Sequence, residues 1–310
     1  MSVLLLGGTG FAGRSVSMAL ESAGIGYTSA SRSTGIDLRK VDELTDLLNA
    51  IKPQFVINCA AHVGSLNYVT QQAADVIVDN TEMVLALYRA LAGVKSESIV
   101  INPVANCAYP GSLEIYSEDQ LWNGPIHRSV LSYGSTRRHM MAVGECFAMQ
   151  HNIRSITLLV PNMYGPFDST DPNKAHAMNA LIAKFIKAKQ EKLSEVSIWG
   201  TGSAIREWLL AKDFGRVVSE ILKNPNLLGL DEPLNIGQNF GLSVREIVSL
   251  ISQRVGYQGR IEYDHSKPDG ASKKVMSDLR FRKVFPKFTF SDMEHGIQDT
   301  INYYSSVYPY

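Results

Sequence analysis

A doubly wound parallel α/β sheet with a smaller mixed α/β C-terminal lobe is the fold class this sequence predicts. Three observations point there. Up to about residue 160, short apolar, β-favouring runs alternate with longer segments of helical period, the pattern of βαβ units around a parallel sheet. Glycines at 7, 8, 10 and 13 follow the first of these runs directly. From Pro161 the composition turns to loops rich in Pro, Asn, Asp and Gly (PNMYGPFDSTDPNK).

Strands are expected at 3–6 (VLLL), 27–31 (YTSAS), 55–60 (FVINCA), 98–103 (SIVINP) and 155–160 (SITLLV). Between them, 13–23, 41–51, 75–92 and 133–151 repeat apolar residues three and four apart, and so read as helices. Gly24 and Gly93 stand where glycines end helices. Further on, a helix is expected at about 176–190 and a strand near 196–199. A helix at 212–223 and a strand at 232–237 return to the first sheet. The division into domains is therefore interleaved: 1–165 plus about 209–240 form one unit, 166–208 and 241–310 the other. At roughly 150 residues per domain, 310 residues can fill two cores.

Thirty Lys+Arg balance thirty Asp+Glu, and no run of five like charges occurs. That removes the bulk electrostatic reason to expect nucleic acid or an anionic membrane as partner, so any anion must be bound locally. No stretch approaches the roughly 18 apolar residues of a membrane-spanning helix, and the N-terminus lacks the pattern of a secretory signal. A cytoplasmic location is expected. Cys59, Cys107 and Cys146 are odd in number and have no CxxC spacing, which argues against a disulfide framework and against a zinc site. No metal is expected.

Gly7-Gly8-Thr9-Gly10-Phe11-Ala12-Gly13 joins the first strand to the first helix and carries GxxGxxG at 7, 10 and 13. Glycines so spaced allow a tight turn, let backbone N–H groups approach a pyrophosphate, and let helix and strand pack closely. The fold is thus Rossmann-like, with Gly7, Thr9, Gly10, Phe11 and Gly13 as cofactor-binding residues. After the second strand the chain reads Ala30-Ser31-Arg32-Ser33, where an NAD site usually has an acidic residue for the ribose. A cation and hydroxyls suit a 2′-phosphate, so Arg32 points to NADP(H).

Several separated segments resemble the extended short-chain dehydrogenase/reductase family, and within it the GDP-L-fucose synthases, which epimerise and reduce a 4-keto-6-deoxy nucleotide sugar. They are GGTGFAG (7–13), CAAHVG (59–64), NCAYP (106–110), YGSTR (133–137), PNMYGP (161–166), the helix opening at His176, WGTGSAIREW (199–208) and SKPDG (266–270). The resemblance implies an NADP-dependent epimerase/reductase acting on a GDP-sugar, working as a homodimer through helices that include 75–92 and 133–151. It implies that Tyr133 protonates the substrate oxygen, with Arg137 standing where the family has a lysine. Cys107 and His176 fall on the acid/base pair for epimerisation. Ala60, Ala61 and His62 would line the cofactor, although His62 could also simply end a strand. Asn162, Lys184, Trp199, Arg206 and Lys274 would bind substrate, Arg206 by pairing its guanidinium with the pyrophosphate.

Two positions depart from the family. Arg137 keeps a positive charge beside Tyr133, but its planar fork is not an ammonium point charge. Ala105 occupies the place of a Ser/Thr whose hydroxyl bonds the substrate carbonyl, and losing one such donor costs about 10²–10³ in kcat unless another group replaces it. Asn106, Ser132 and Ser135 are the candidates, though strand alternation would point Asn106 away from the direction of residue 105. Two other readings follow from these departures: an epimerase whose cofactor is not consumed, or a dinucleotide-binding homologue with impaired catalysis.

Overall fold

The computed structural model describes residues 1–224, 227, 232–267 and 269–310. Pro268 of SKPDG, and 225, 226 and 228–231 in the 209–240 stretch, lie outside the described residues. Six parallel strands form the central sheet, in the order Leu234–Asn235, Ser155–Val160, Ile99–Ala105, Phe55–Asn58, Val3–Leu6, Thr28–Ala30. The chain leaves Val3–Leu6 toward one edge and returns on its other side as Phe55–Asn58. That reversal opens a crevice at the carboxyl ends, where open α/β sheets bind ligands.

Side-chain alternation sends the inner strands into two cores, which is why they read as nearly continuous apolar runs. Leu4, Leu6, Val56, Val100 and Val104 meet the helices Val41–Ile51, Ala73–Gly93 and Leu131–His151 on one face. Val3, Leu5, Ile57, Ile101 and Ile156 meet Phe11–Ser22 and Ala211–Lys223 on the other. Burying each of these side chains contributes about 1.5–3 kcal/mol. Phe281 and Phe285, from the C-terminal stretch, also pack into this second core.

Helix ends follow local chemistry. Ser243 and Glu246 make a capping box on Val244–Val255, which stops at Gly256 in the left-handed region. Gly24 takes φ 67° after the first helix, as expected. Gly93 instead remains the last helical residue, and Lys95 takes the left-handed turn with φ 50°.

A third core joins the helices Ala177–Gln190, Val244–Val255 and Met293–Ser306 to the strand pair Glu195–Trp199 and Arg260–Asp264. A four-stranded sheet, in the order Leu242–Ser243, Ile205–Arg206, Lys273–Met276, Ile115–Tyr116, ties this lobe to the N-terminal half. Its register sets Lys274 opposite Arg206. No helix among the described residues is long and apolar enough to cross a membrane.

Candidate active site

The glycine loop is shaped by what a side chain would strike. Gly7 has φ 75°, and a Cβ on it would lie 2.7 Å from the Ala60 backbone. On Gly13 a Cβ would sit 2.1 Å from the Gly7 carbonyl oxygen, so the helix packs onto the strand at a distance only glycine permits. Gly10 faces open space apart from a 3.3 Å approach to Gly7 O, and no side chain caps the helix it begins. The positive end of Phe11–Ser22 therefore stays free for an anion. Ala60 forms the wall against Gly7, and Ala61 beside it is exposed.

At the second strand's end the hydroxyls of Thr9, Ser31 and Ser33 bond one another at 2.9–3.1 Å, with exposed Arg32 between the two serines. Three hydroxyls and a guanidinium, without a carboxylate at 30–34, match a phosphate.

Gly134 is pressed onto the Asn106–Ala108 turn, where an added Cβ would stand 2.6 Å from Cys107 O. That close approach brings Tyr133, Arg137 and Cys107 together. The Arg137 guanidinium lies 4.8 Å from the centre of the Tyr133 ring and is almost wholly buried. Its Nη2 donates to Asn80 Oδ1 at 2.8 Å, and its buried Nε has no partner among the described residues. Burial pushes the Tyr133 phenol up, and the Arg137 charge pulls it back. Burial lifts the Cys107 thiol to about 11 against the pull of Lys274 and Arg137.

Asn80, which sequence reading missed, is fully buried and ties this arrangement to the His62 loop after the third strand. It accepts from His62 N at 3.1 Å and donates to His62 O and Val76 O, each at 2.7 Å. Its only sequence signal is an amide within an apolar helix. The His62 ring is committed on both nitrogens, to Asp79 Oδ2 at 2.8 Å and to Tyr68 OH at 2.7 Å.

The candidates for the missing hydroxyl separate clearly. Ser132 Oγ donates to Val69 O at 2.8 Å and is spent there. The strand ends at Ala105, and Asn106 begins a 3₁₀ turn, so strand alternation no longer governs where Asn106 points. Its buried Nδ2 has no partner among the described residues. Ser135 is half-exposed.

His176 precedes the helix Ala177–Gln190, and its ring packs 5.0 Å from that of Phe11 in the glycine loop. Arg206 Nη2 donates to Asp269 O at 3.1 Å, fixing the fork beside the loop that contains SKPDG. Asp269 also receives Thr201 N at 2.7 Å and Thr201 Oγ1 at 2.6 Å, which clamps the WGTG turn. Burial pulls the Arg206 and Lys274 cations down, and the Arg206 charge adds to the pull on Lys274. Asn162 Nδ2 donates to Glu207 O at 3.1 Å. Trp199 is 62% exposed, with Lys267 5.7 Å over its ring. Lys184 is exposed, and its ammonium donates to the Ser197 carbonyl of the same lobe. A cavity of about 1240 Å³ between the first helix, Arg216 and Phe288 contains none of these residues.

The family model for the NAD dependent epimerase/dehydratase family matches residues 3–237, which spans the glycine loop, the Tyr133 helix and Arg206. The chain belongs to that family. Among curated relatives of this chain, the GDP-L-fucose synthase of Azorhizobium caulinodans is 29% identical over 304 residues, covering 97% of this chain and 96% of the relative. The GDP-L-colitose synthase of Yersinia pseudotuberculosis is 27% identical, covering 98% of each. The fold matches a GDP-L-fucose synthetase from Naegleria fowleri bound to NADP with a TM-score of 0.86 at 22% identity, over 99% of this chain and 94% of that one. It also matches a GDP-6-OMe-4-keto-L-xylo-heptose reductase from C. jejuni with a TM-score of 0.87 at 20% identity, over 98% and 97%.

Proposed function

We propose that this chain is an NADP(H)-dependent epimerase/reductase acting on a GDP-linked 4-keto-6-deoxy sugar. The observation that carries the reading is the convergence of Tyr133, Arg137 and Cys107 with Lys274, which shares a strand register with Arg206. A phenol, a thiol and a pair of cations are what a keto sugar joined to a diphosphate requires. Gly7, Thr9, Gly10, Phe11, Gly13, Ala60 and Ala61 would cradle the dinucleotide, and Arg32 would meet its 2′-phosphate. When bound, NADPH supplies the hydride for C4. Tyr133 protonates the substrate oxygen, and Arg137 holds positive charge against the phenol so that the proton leaves it more readily. Cys107 and His176 exchange protons with the carbons next to the ketone, which are acidic enough for groups of this strength. Arg206 and Lys274 bind the diphosphate, Asn162 orders the strand end beside them, and Trp199 offers an open aromatic face.

The same reading assigns dinucleotide binding to 1–165 plus about 209–240 and sugar-nucleotide binding to 166–208 and 241–310. It makes the protein a cytoplasmic homodimer: Ile77, Val78 and Met149 are exposed on the two adjacent helices Ala73–Gly93 and Leu131–His151. The test is to incubate the protein with NADPH and GDP-4-keto-6-deoxymannose in D₂O. Carbon-bound deuterium together with NADPH oxidation is the expected result. Exchange without oxidation would leave an epimerase alone, and neither would overturn the proposal.

A further inference from the structure

Asp168 is 6% exposed and lies on the loop that follows the motif PNMYGP. It is held from several sides. Its Oδ2 accepts the His176 backbone N–H and the Asn179 Nδ2, both at 2.7 Å. Asn179, itself fully buried, accepts Gly165 N at 3.1 Å through Oδ1, and so ties the carboxylate to the loop's own backbone. Asp168 Oδ1 is left 3.1 Å from His176 Nδ1. That nitrogen is buried, and no group other than Asp168 approaches it as a partner among the described residues. The two atoms are within ion-pair reach but off the line of a full hydrogen bond.

The His176 side chain is 30% exposed although its Nδ1 is not, so the accessible edge of the ring is the one carrying Nε2. The ring packs 5.0 Å from that of Phe11, on the side of the glycine loop. A buried nitrogen facing a carboxylate oxygen keeps its proton, because two unprotonated acceptors at 3.1 Å would repel each other in a place where water cannot separate them. Burial opposes ionisation of Asp168, but the His176 contacts and the Asn179 bond outweigh it and hold the carboxyl below its usual range.

We infer that Asp168 is a positioning residue that fixes the tautomer of His176, keeping the proton on Nδ1 and leaving Nε2 as the nitrogen that exchanges a proton with the substrate. In that exchange Nε2 takes the proton from a carbon beside the ketone, or returns it, and Nδ1 keeps its own. This rests on the acid/base role proposed for His176 and adds to it the identity of the working nitrogen.

Two measurements on the full chain test it. The first needs no substrate: ¹⁵N–¹H correlation of the His176 ring, assigned by comparison with His176→Gln. The wild type is expected to show the Nδ1–H tautomer, and Asp168→Asn a shift toward Nε2–H. An Nε2–H ring in the wild type, or the same tautomer in Asp168→Asn, overturns the inference. The second is deuterium uptake by GDP-4-keto-6-deoxymannose, expected to fall at least about 10-fold in Asp168→Asn with NADPH affinity unchanged, since the wrong tautomer disables a histidine without removing it. Uptake within about 2-fold of wild type also overturns it. Asn179→Ala, which loosens Asp168 without deleting it, is expected to move both readouts in the same direction by less, so a poorly folding Asp168→Asn does not end the test. If His176→Gln exchanges as fast as wild type, the acid/base reading fails, while the tautomer measurement still decides the role of Asp168.

Discussion

Glu207 is the most telling ionisable group outside the reacting centre. It is wholly buried, accepts the backbone N–H of Gln238 and that of Met276, the latter at 2.6 Å, and forms no ion pair among the described residues. Burial lifts its carboxyl from the ordinary 4.5 to about 7, overcoming the two backbone bonds, with Asp278 adding to the lift. The folded protein thus binds this proton more tightly than the unfolded chain. The stabilisation is fully present below pH 4.5 and is lost as pH rises through about 7. The gap between the two values corresponds to roughly 3 kcal/mol. Glu207→Gln removes the titration, at a fixed cost of about 1–3 kcal/mol because its amide sets a donor against a backbone donor. Urea melts of both proteins from pH 4.5 to 8 should show the wild-type advantage shrinking by roughly 3 kcal/mol across the window. An advantage that stays constant would refute the argument. One that grows with pH would mean that the backbone bonds, not burial, control the carboxyl.

Gly13→Ala adds a methyl 2.1 Å from Gly7 O and is expected to cost about 1–3 kcal/mol of stability and to weaken NADPH binding, read by the fluorescence of the bound nucleotide. Arg32→Glu replaces the proposed phosphate contact with repulsion; the preference for NADPH over NADH is expected to fall roughly 10- to 100-fold in competition titrations. Cys107→Ala is expected to abolish deuterium exchange while sparing C4 reduction of a substrate supplied already epimerised, and full exchange would remove Cys107 from the mechanism.

Much of the first half of the fold is legible because strands such as Val3–Leu6 and Phe55–Asn58 are buried along their length and helices such as Val41–Ile51 carry one apolar stripe. The Leu131–His151 helix begins two residues before the expected 133, and Ile99–Ala105 runs two past the expected 103. The lobe is less legible. Ile205–Arg206 and Leu242–Ser243 are two-residue strands, too short to show a period, and are specified by partners far away in the chain. The candidate site divides along a similar line. Gly7, Tyr133 and Arg206 sit in compact motifs, but Asn80, Asp168 and Glu207 act through contacts that only the folded chain assembles. Glu207 illustrates the reason: it stands inside a quoted motif, yet its carboxylate meets Gln238 and Met276 from two other segments.

The two departures at the reacting centre do not weigh equally. Arg137 sits over the Tyr133 ring and is anchored by Asn80, so the positive charge that draws the phenolic proton away is retained and fixed in place. Its buried Nε has no acceptor among the described residues, at a cost of about 1–3 kcal/mol. Ala105 is different, since a methyl group donates nothing and Ser132 is already bonded to Val69 O. On the proposed mechanism the shortfall lies in carbonyl polarisation, not in proton supply. On that mechanism Asn106 Nδ2, a buried donor without a partner among the described residues and one residue from Ala105, would supply the donor.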